Sequence, residues 1–431
     1  GVSPTFNLLT SVMDDMRPEN KYLHLMDEQE AITKAQALLN RPGDANVSPL
    51  AVYRHAAKAD SVQQRRPNVV LIMMESMSAK FMKHFGQSET LTPFLDSLYT
   101  RSISFRNFYS AGIHTNHGLY ATLYSFPAMM KRNLMKGSVI PRYSGLPTVL
   151  KENGYYNLFF MTHEGQYDNM NAFFRTNGYD EVFSQENYPA DKVVNSFGVQ
   201  DDFLYDYAIP VLNQRAATGQ PFFATLLSIS NHPPYVIPPF FHPKTSEPET
   251  QIVEYADWAL RQFFEEARKQ PWFDNTIFVL EGDHGKLVGD AECELPESYN
   301  HIPLMIYSSR IQPEEKTTFG GQVDIQPTIL GLLNIDYLQN NFGVDLLKEE
   351  RPCMFYTADN MVVGRNDTLL YLYNYETQQE LTYDIGNGKL NAVPMDDSFL
   401  PLKEYSFSML QSAEFLVKHG KTLNSIPFTQ Q

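Results

Sequence analysis

The stretch NVVLIMME at residues 68–75 is an almost unbroken apolar run that ends in an acid. Apolar residues on both faces are typical of a strand buried inside a parallel sheet. A helical segment with apolar residues three and four apart lies at 254–270. Similar apolar runs recur along the chain, at 102–110, 155–162, 221–230, 276–283 and 302–307. Strands alternating with helices predict an α/β fold, with a mostly parallel central sheet sandwiched by helices.

The alternation divides the chain into three regions. Residues 1–66 are predicted to form a helical N-terminal arm and linker, and residues 67–345 form the α/β domain. Over residues 346–431 the sequence pattern changes and predicts short strands with polar turns, followed by a helix near 400–418. This pattern predicts a small antiparallel α+β subdomain packed on one edge of the main domain.

Composition narrows the classes of function. The net charge of −16 argues against nucleic acid as a partner, because a phosphate backbone requires a basic face. The sequence contains no signal peptide and no run of about 18 apolar residues, and its abrupt polar start suggests a piece of a longer protein. The only cysteines, Cys293 and Cys353, could form one disulfide in an oxidising compartment or stay free and buried.

Chemically active residues follow five of the apolar runs. In open parallel sheets, ligands bind beyond the carboxyl ends of the strands. Strand ends more often carry Gly, Asn or Ser turn residues. Five strand ends that carry acids, histidines or a threonine instead predict a site at the edge of the sheet where the strands end. The residues at these ends are Glu75, the segment His114-Thr115-Asn116-His117, His163-Glu164, Asn231-His232 and Asp283-His284.

Glu75, Asp283 and His284 together predict a site for one divalent metal ion. Two carboxylates and an imidazole suit Mn²⁺ or Zn²⁺, with Mg²⁺ possible and Ca²⁺ less suitable. Three protein ligands leave a position open, as in catalytic sites. Thr115 offers a hydroxyl for that position, where the ion would lower its pKa as it does that of bound water. A helix is expected to follow Thr115, so helix N-terminal amides would favour an anionic phosphate there.

Each of these residues also has an ordinary structural interpretation. Glu75 could cap the following helix, Asp283 could lie in a solvated turn, and Thr115 could be a helix N-cap. Their joint occurrence at strand ends favours the site. His114 and His117 form only a weak H-x-x-H pattern on a loop, and are expected to shape the pocket rather than bind the metal.

The motifs together resemble the sulfatase/alkaline-phosphatase superfamily, and within it the lipoteichoic acid synthase-like phosphoglycerol transferases. The matching motifs are PNVVLIMMES (67–76), AGIHTNHG (111–118), SISNHPPY (228–235) and EGDHGK (281–286). The similarity continues to the motif FGVDLL (342–347). The similarity covers about residues 66–345. It implies that Glu75, the nucleophile Thr115, Asp283 and His284 bind one divalent metal.

The resemblance also implies the residues that contact substrate. His163 and His232 match the family's substrate-side histidines, and His301 stands where related enzymes carry a further active-site histidine. Asn116 is a further candidate for substrate contact. In the mechanism that the resemblance implies, His232 protonates the leaving oxygen and later deprotonates the acceptor hydroxyl.

Two departures from the family's pattern bear on the substrate. The C-x-P-S-R motif of formylglycine sulfatases is absent, so a conventional sulfatase is not favoured. Lipoteichoic acid synthases carry Trp-Asn-Arg after the first substrate histidine, where this chain has Asp168-Asn169-Met170. The arginine is missing unless Arg175 reaches in. A cationic head group such as ethanolamine is therefore expected beside Asp168.

The leading hypothesis is a metal-dependent phosphotransferase that acts on a phosphodiester through a phosphothreonine at Thr115. The donor would be a phospholipid with a phosphoglycerol or phosphoethanolamine head group, and the acceptor a glycan or lipid. A hydrolase of sulfate or phosphate esters with the same metal site is the alternative, and a catalytically silent binding module is the third. The resemblance implies an extracytoplasmic domain, in the periplasm or at the cell surface, anchored to a membrane by a segment outside this chain.

Overall fold

The structure is a computed structural model that describes residues 22–39, 52–56, 66–137, 139–386 and 388–424. The rest of the predicted N-terminal arm lies outside the described residues. The strands are β1 (Tyr53–Ala56), β2 (Asn68–Met74), β3 (Ile103–Tyr109), β4 (Tyr156–Phe160), β5 (Glu181–Phe183), β6 (Phe222–Leu227), β7 (Thr276–Gly282), β8 (Leu304–Tyr307), β9 (Glu314–Gly321), β10 (Tyr337–Asn340), β11 (Met354–Thr357), β12 (Met361–Arg365), β13 (Leu369–Asn374), β14 (Gln379–Gly386) and β15 (Lys389–Ala392).

Helices connect most of these strands. They are α1 (Glu28–Leu39), α2 (Pro93–Tyr99), α3 (Thr115–Tyr124), α4 (Leu146–Glu152), α5 (Met170–Thr176), α6 (Asp201–Ala216), α7 (Pro248–Ala267), α8 (Ile325–Leu332) and α9 (Leu400–Lys418). Short 3₁₀ turns also occur, one of them at Tyr167–Asn169 beside the candidate site. In the described part of the chain, no helix combines the length and apolar character needed to cross a membrane.

The main sheet has eight strands in the order β5-β4-β6-β2-β7-β8-β3-β9. Its described strands run parallel except β8, which is antiparallel to both β7 and β3. β2 lies at the centre, with Val70 paired to Ala224 on β6 and to Phe278 on β7. The predicted α/β fold with a mostly parallel central sheet is therefore confirmed.

The central strand is buried on both faces, as its unbroken apolar sequence predicted. Every residue of β2 is buried. Val69 and Leu71 pack into one apolar cluster, whereas Val70 and Ile72 pack into the other. Because side chains alternate along a strand, β2 contributes to the core on each side of the sheet.

The C-terminal region forms a second sheet, an antiparallel meander in the order β11-β12-β13-β14-β15. Helix α9 packs on this sheet and α1 packs along α9. The Thr357 amide donates to the Ala111 carbonyl (2.9 Å), which joins β11 to the loop before α3. The predicted antiparallel subdomain is thus present in kind, and the division at residues 66 and 345 stays a prediction.

One strand was not expected from the sequence, and the structure decides between the two alternatives for the cysteines. Residues of the N-terminal region form β1, which pairs with β10 in a separate two-stranded sheet, where only helix and linker were predicted. Cys293 and Cys353 are both free thiols, with Cys353 buried and Cys293 partly exposed. Of the two alternatives for the cysteines, the structure has the unbonded one.

Candidate active site and metal centre

The ends of β2 and β7 bring Glu75, Asp283 and His284 together. These two strands are paired in register up to Met74 and Gly282, so the residues that follow them emerge side by side. One ligand atom from each of the three side chains lies within 4.8 Å of the others. Glu75 and Asp283 are 1% and 0% exposed. Two carboxylates are therefore held together out of contact with water.

Ser76 fixes the orientation of both carboxylates. Its amide donates to Asp283 Oδ1 (2.8 Å) and its hydroxyl donates to Glu75 Oε1 (2.7 Å). The His284 amide donates to the same Asp283 Oδ1 (2.7 Å). Asp283 Oδ2 remains buried without a hydrogen-bond partner among the described residues. Buried polar atoms are rarely left unpaired, so this oxygen is available to an external ligand.

The imidazole of His284 completes a donor set for a divalent cation. Its Nδ1 donates to the Gly285 carbonyl (2.7 Å), which leaves the Nε2 lone pair facing Asp283 Oδ2 at 3.6 Å and Glu75 Oε1 at 3.9 Å. Burial and the Asp283 charge raise the pKa of Glu75 well above its usual range. A divalent cation would remove this repulsion, so the residues present fit Mn²⁺ or Zn²⁺.

Thr115 lies beside this cluster at the start of α3. Its hydroxyl donates to Glu75 Oε2 at 3.4 Å. The N-cap position belongs to His114, so Thr115 is not the N-cap that the alternative interpretation proposed. Helix α3 can approach this closely because residue 118 is glycine. A Cβ on Gly118 would lie 2.3 Å from the Asp283 carbonyl oxygen.

The two histidines that flank Thr115 have different environments. His114 Nε2 lies 2.6 Å from Asp359 Oδ1, and this contact raises the pKa of His114. His117 is fully buried, and burial lowers its pKa to about 3. Neither belongs to the group of potential ligands found among the described residues. Asp359 comes from the turn between β11 and β12, so the C-terminal sheet reaches the residue next to Thr115.

The substrate-side histidines belong to a series of aromatic contacts along one side of the site. The ring centroids of His163 and Tyr167 are 4.6 Å apart, those of Tyr167 and Phe197 6.4 Å, and those of Phe197 and His232 4.1 Å. His163 Nδ1 donates to the Glu164 carbonyl (3.1 Å), and its burial lowers the pKa of the imidazole. The predicted pair of histidines is thus joined through Tyr167 and Phe197, which the sequence did not single out.

Asp168 and Arg175 do not have the surroundings that the sequence suggested. Asp168 Oδ1 lies 3.1 Å from Lys136 Nζ. The Arg175 guanidinium donates to Asn171 Oδ1 (2.8 Å) and more distantly to the Asp180 and Val182 carbonyls, and no bond from it to the site is found among the described residues. Lys136 thus pairs with the carboxylate beside which a cationic head group was expected, and the identity of the head group stays a prediction.

The remaining candidates have unequal support. Asn116 directly follows Thr115, and its Oδ1 is buried without a hydrogen-bond partner among the described residues, so it can receive a donor from a ligand. His301 Nε2 donates to the Arg106 carbonyl (2.8 Å), and the ring stacks on Tyr109 with centroids 5.1 Å apart. Its contacts connect it to the strand β3 rather than to the metal ligands. A substrate role for either residue stays a prediction.

Several residues of the site were not singled out in the sequence. Ser76 bonds the Glu75 strand end, Lys286 bonds Asn231, and Lys136 and Asp359 pair with Asp168 and His114. Ser76 and Lys286 each lie within two residues of a proposed site residue, which is a usable local signal. Lys136 and Asp359 carry no such signal, because their partners are distant in the chain.

Comparisons with known proteins show the family of the chain. The family model described as Sulfatase matches residues 67–335. Lipoteichoic acid synthase 1 of Bacillus subtilis is 25% identical over 350 residues, which cover 75% of this chain and 53% of the relative. The lipoteichoic acid synthase of Staphylococcus saprophyticus is 24% identical over 367 residues, covering 77% and 54%. The chain spans about half of the length of these curated relatives.

Solved structures show the same fold. A protein in the alkaline phosphatase superfamily from Vibrio parahaemolyticus superposes with a TM-score of 0.80 and 26% identity, covering 93% of this chain and 98% of that one. The lipoteichoic acid synthase LtaP from Listeria monocytogenes gives 0.70 and 21%, covering 82% and 93%. The matches together point to an enzyme of the transferase or hydrolase type.

Proposed function

The chain belongs to the Sulfatase family, and from this premise we propose that it is a metal-dependent phosphotransferase that acts on a phosphodiester through Thr115. The observation that carries the proposal is the Thr115 hydroxyl, 3.4 Å from Glu75 within a cluster of two buried carboxylates and an imidazole. A hydroxyl so placed is suited to nucleophilic attack, which is the chemistry of a transferase with a covalent intermediate.

Glu75, Asp283 and His284 would hold one divalent ion, Mn²⁺ or Zn²⁺ by the donor set and Mg²⁺ as a further possibility, with Thr115 as the fourth ligand. The ion would lower the pKa of the Thr115 hydroxyl and neutralise charge on the phosphoryl group. Thr115 is the first residue of α3, and the N-terminal end of a helix favours an anionic group. Asn116, next in the helix, could donate its side-chain amide to a phosphoryl oxygen.

The reaction proceeds in two displacements at phosphorus. In the first, the deprotonated Thr115 Oγ1 forms a bond to phosphorus while the bond to the lipid alcohol breaks, and His232 gives a proton to the departing oxygen. In the second, an acceptor hydroxyl loses its proton to His232 and attacks the phosphothreonine, which releases Thr115. His163, held by Glu164 on Nδ1, presents Nε2 to the substrate. Most of the catalysis would come from positioning and charge neutralisation.

The transferred head group is inferred from the Lys136–Asp168 pair. A cationic head group would have to displace the lysine ammonium from the carboxylate, which costs the existing ion pair. A neutral polyol such as glycerol can accept a hydrogen bond from Lys136 and donate one to Asp168 without separating them. The pair, at 3.1 Å, therefore supports a phosphoglycerol head group over phosphoethanolamine. The names of the relatives, lipoteichoic acid synthases, agree with a donor of this kind.

The proposed setting follows from the same relatives. The donor would be a phospholipid and the acceptor a glycan or lipid, and the net charge of −16 argues against nucleic acid as a partner. Such substrates are found at the cell envelope, so we place the domain outside the cytoplasm, in the periplasm or at the cell surface. Its attachment to the membrane would be through a segment outside this chain.

The second candidate is a hydrolase of sulfate or phosphate esters that uses the same metal site. The match to the Sulfatase model and the fold shared with a phosphonate monoester hydrolase of Agrobacterium radiobacter, at a TM-score of 0.59 and 15% identity, favour keeping it. The two differ in the fate of the phosphoryl group. Transfer to a glycan or lipid hydroxyl supports the first candidate, and release to water without a covalent intermediate supports the second.

The decisive experiment compares Thr115→Ala with Thr115→Ser. We expect Thr115→Ala to lower kcat by at least about 10³-fold while retaining near-normal metal content, because three ligands remain. Thr115→Ser keeps a hydroxyl and should keep part of the activity. Mass spectrometry of quenched wild-type enzyme should detect a phosphate on Thr115. Full activity in Thr115→Ala would refute the mechanism, and a purified protein free of divalent metal would support a silent binding module.

A further inference from the structure

Lys286 is a partly buried ammonium that contacts the candidate site without belonging to it. It follows His284 by two residues, and its Nζ lies over the rings of Tyr235 (4.8 Å to the centroid) and Phe81 (5.4 Å). The same Nζ donates to Asn231 Oδ1 at 2.5 Å and to the Tyr235 hydroxyl at 3.2 Å. The two aromatic rings and the two hydrogen bonds together hold the ammonium in a defined position.

Asn231 forms hydrogen bonds both to Lys286 and to the strand end that carries Glu75. Asn231 is 1% exposed, and its Nδ2 donates to the carbonyls of Glu75 and Ser76, both at 3.1 Å. An amide has one accepting end and one donating end, whereas a lysine ammonium can only donate. Lys286 therefore requires Oδ1 to face it, which directs Nδ2 at the two carbonyls.

The Glu75–Ser76 turn needs this support because its backbone is strained. Ser76 has φ 50°, in the left-handed region that is unfavourable for a residue other than glycine. In that conformation its amide reaches Asp283 Oδ1 and its hydroxyl reaches Glu75 Oε1. A hydrogen-bonded path thus runs from Lys286 through Asn231 and Ser76 to both carboxylates.

We propose that Lys286 is a positioning residue of the metal site, acting through the orientation of the Asn231 amide on the Glu75–Ser76 turn. The inference rests on the proposed function, since it assumes that Glu75 and Asp283 bind a divalent ion. Lys286 also bonds Tyr235, and Asn231 directly precedes His232. The ammonium therefore joins the strand ends after β2, β6 and β7, which supply the metal ligands and the proton-transfer histidine.

The test measures Mn²⁺ affinity of the full chain by calorimetry and by electron paramagnetic resonance of the bound ion, independently of turnover. Lys286→Met should weaken Mn²⁺ binding by about tenfold, the lower end of what loss of an outer-shell partner costs. The resonance of bound Mn²⁺ should broaden as the carboxylates lose their fixed orientation. Lys286→Arg, which keeps a donor, should recover part of the affinity.

A matched control and a double variant separate this role from general destabilisation. Lys80→Met removes a partly exposed lysine paired with Glu292 at 3.1 Å, and should leave Mn²⁺ affinity unchanged. Asn231→Ala should lose at least as much affinity as Lys286→Met. The double variant should lose no more than Asn231→Ala alone, because the lysine acts through the amide. If Lys286→Met fails to fold, Lys286→Ala, which also removes the donor, replaces it and should show the same loss of Mn²⁺ affinity.

Two results would overturn the inference. One is Mn²⁺ binding by Lys286→Met equal to that of the wild type, and the other is a double variant whose losses add. A wild-type protein that binds no divalent ion would instead refute the proposed function, and with it the site that Lys286 is inferred to support. The two failures are therefore distinguishable in the same titrations.

Discussion

One buried carboxylate of this molecule forms an ion pair with an arginine, whereas two others have no such partner among the described residues. Asp324, fully buried at the start of α8, receives two N–H groups of Arg351 on Oδ1 (3.1 and 2.6 Å) and one on Oδ2 (2.9 Å). Its oxygens also accept the amides of Val344 and Gly321. Glu75 and Asp283 are equally buried, yet among the described residues no lysine or arginine forms an ion pair with either.

For these three residues, the difference separates a carboxylate that the chain itself neutralises from two that a bound cation would neutralise. Burying a charge is costly unless it is paired and hydrogen-bonded. Asp324 is compensated by the Arg351 guanidinium, so its burial leaves no unpaired charge. The Glu75–Asp283 pair is left with a raised pKa on Glu75 and an unpaired oxygen on Asp283. The chain therefore holds an unfavourable arrangement that an external divalent cation would relieve.

The largest effect is expected at the compensated pair. Arg351→Met leaves Asp324 buried without its cation and should lower the free energy of unfolding by about 3–5 kcal/mol, measured by urea denaturation. Arg261→Met, which removes an exposed i,i+4 pair with Glu265, is the control and should change it by less than about 0.5 kcal/mol. A loss below 1 kcal/mol in Arg351→Met would remove the contrast between the two groups.

Metal binding at Glu75 and Asp283 should stabilise the folded protein. With free Mn²⁺ at a hundred times its Kd, the free energy of unfolding should exceed that of chelated protein by about 2.7 kcal/mol. The double variant Glu75→Gln, Asp283→Asn should show no such gain, whereas Arg351→Met should keep it. Thermal or urea unfolding with and without a chelator measures the difference. If Mn²⁺ still raises the free energy of unfolding of the double variant, the ion binds elsewhere.

Without metal, neutralising one carboxylate should stabilise the protein. Glu75→Gln removes a buried charge beside Asp283 and should raise the free energy of unfolding of chelated protein by about 1–2 kcal/mol at neutral pH. Because the pKa of Glu75 is raised in the fold, its contribution to stability is present below the ordinary Glu range and is lost as pH rises through the folded pKa. The wild-type curve should therefore fall with rising pH more steeply than that of Glu75→Gln.

The same Glu75→Gln variant should have little activity, because the site loses a ligand. Stability gained at the expense of function is expected where a site is strained for its ligand. A Glu75→Gln protein less stable than the wild type in chelator would show that the carboxylate is compensated after all, and the contrast with Asp324 would fail.

The smallest effect concerns head-group choice. Lys136→Met frees Asp168 and should shift the ratio of kcat/KM values toward an ethanolamine over a glycerol head group by up to about fivefold, since partly exposed pairs contribute at most about 1 kcal/mol. Lys131→Met, in the same loop and loosely paired with Glu376, is the control. An unchanged ratio in Lys136→Met would mean that the Lys136–Asp168 pair does not contact the head group.

Local patterns predicted much of the main domain. The apolar run at 68–75 identified a strand buried on both faces, and the residues after the runs identified Glu75, Thr115, Asp283 and His284 as neighbours in space. Neither step depends on knowing the order of strands, because carboxyl ends of parallel strands share one edge of the sheet wherever they lie in it. The placement of a potential metal site could therefore be read from the chain.

Other features depended on contacts between distant parts of the chain. The pairing of β1 with β10 joins residues nearly 300 positions apart, and the antiparallel direction of β8 is absent from its apolar pattern. Lys136 and Asp359 reach Asp168 and His114 from surface loops. Because charged loop residues are usually solvated, nothing in their local sequence distinguishes them.

By itself, the sequence determined that the chain has a parallel sheet with acids and histidines at one edge, since burial and strand ends leave local patterns. Only the tertiary structure decided which carboxylates have their own cation and which do not. That balance depends on whether an arginine from another element, such as Arg351 opposite Asp324, is brought within hydrogen-bond distance. The distance is set by the packing of the whole chain.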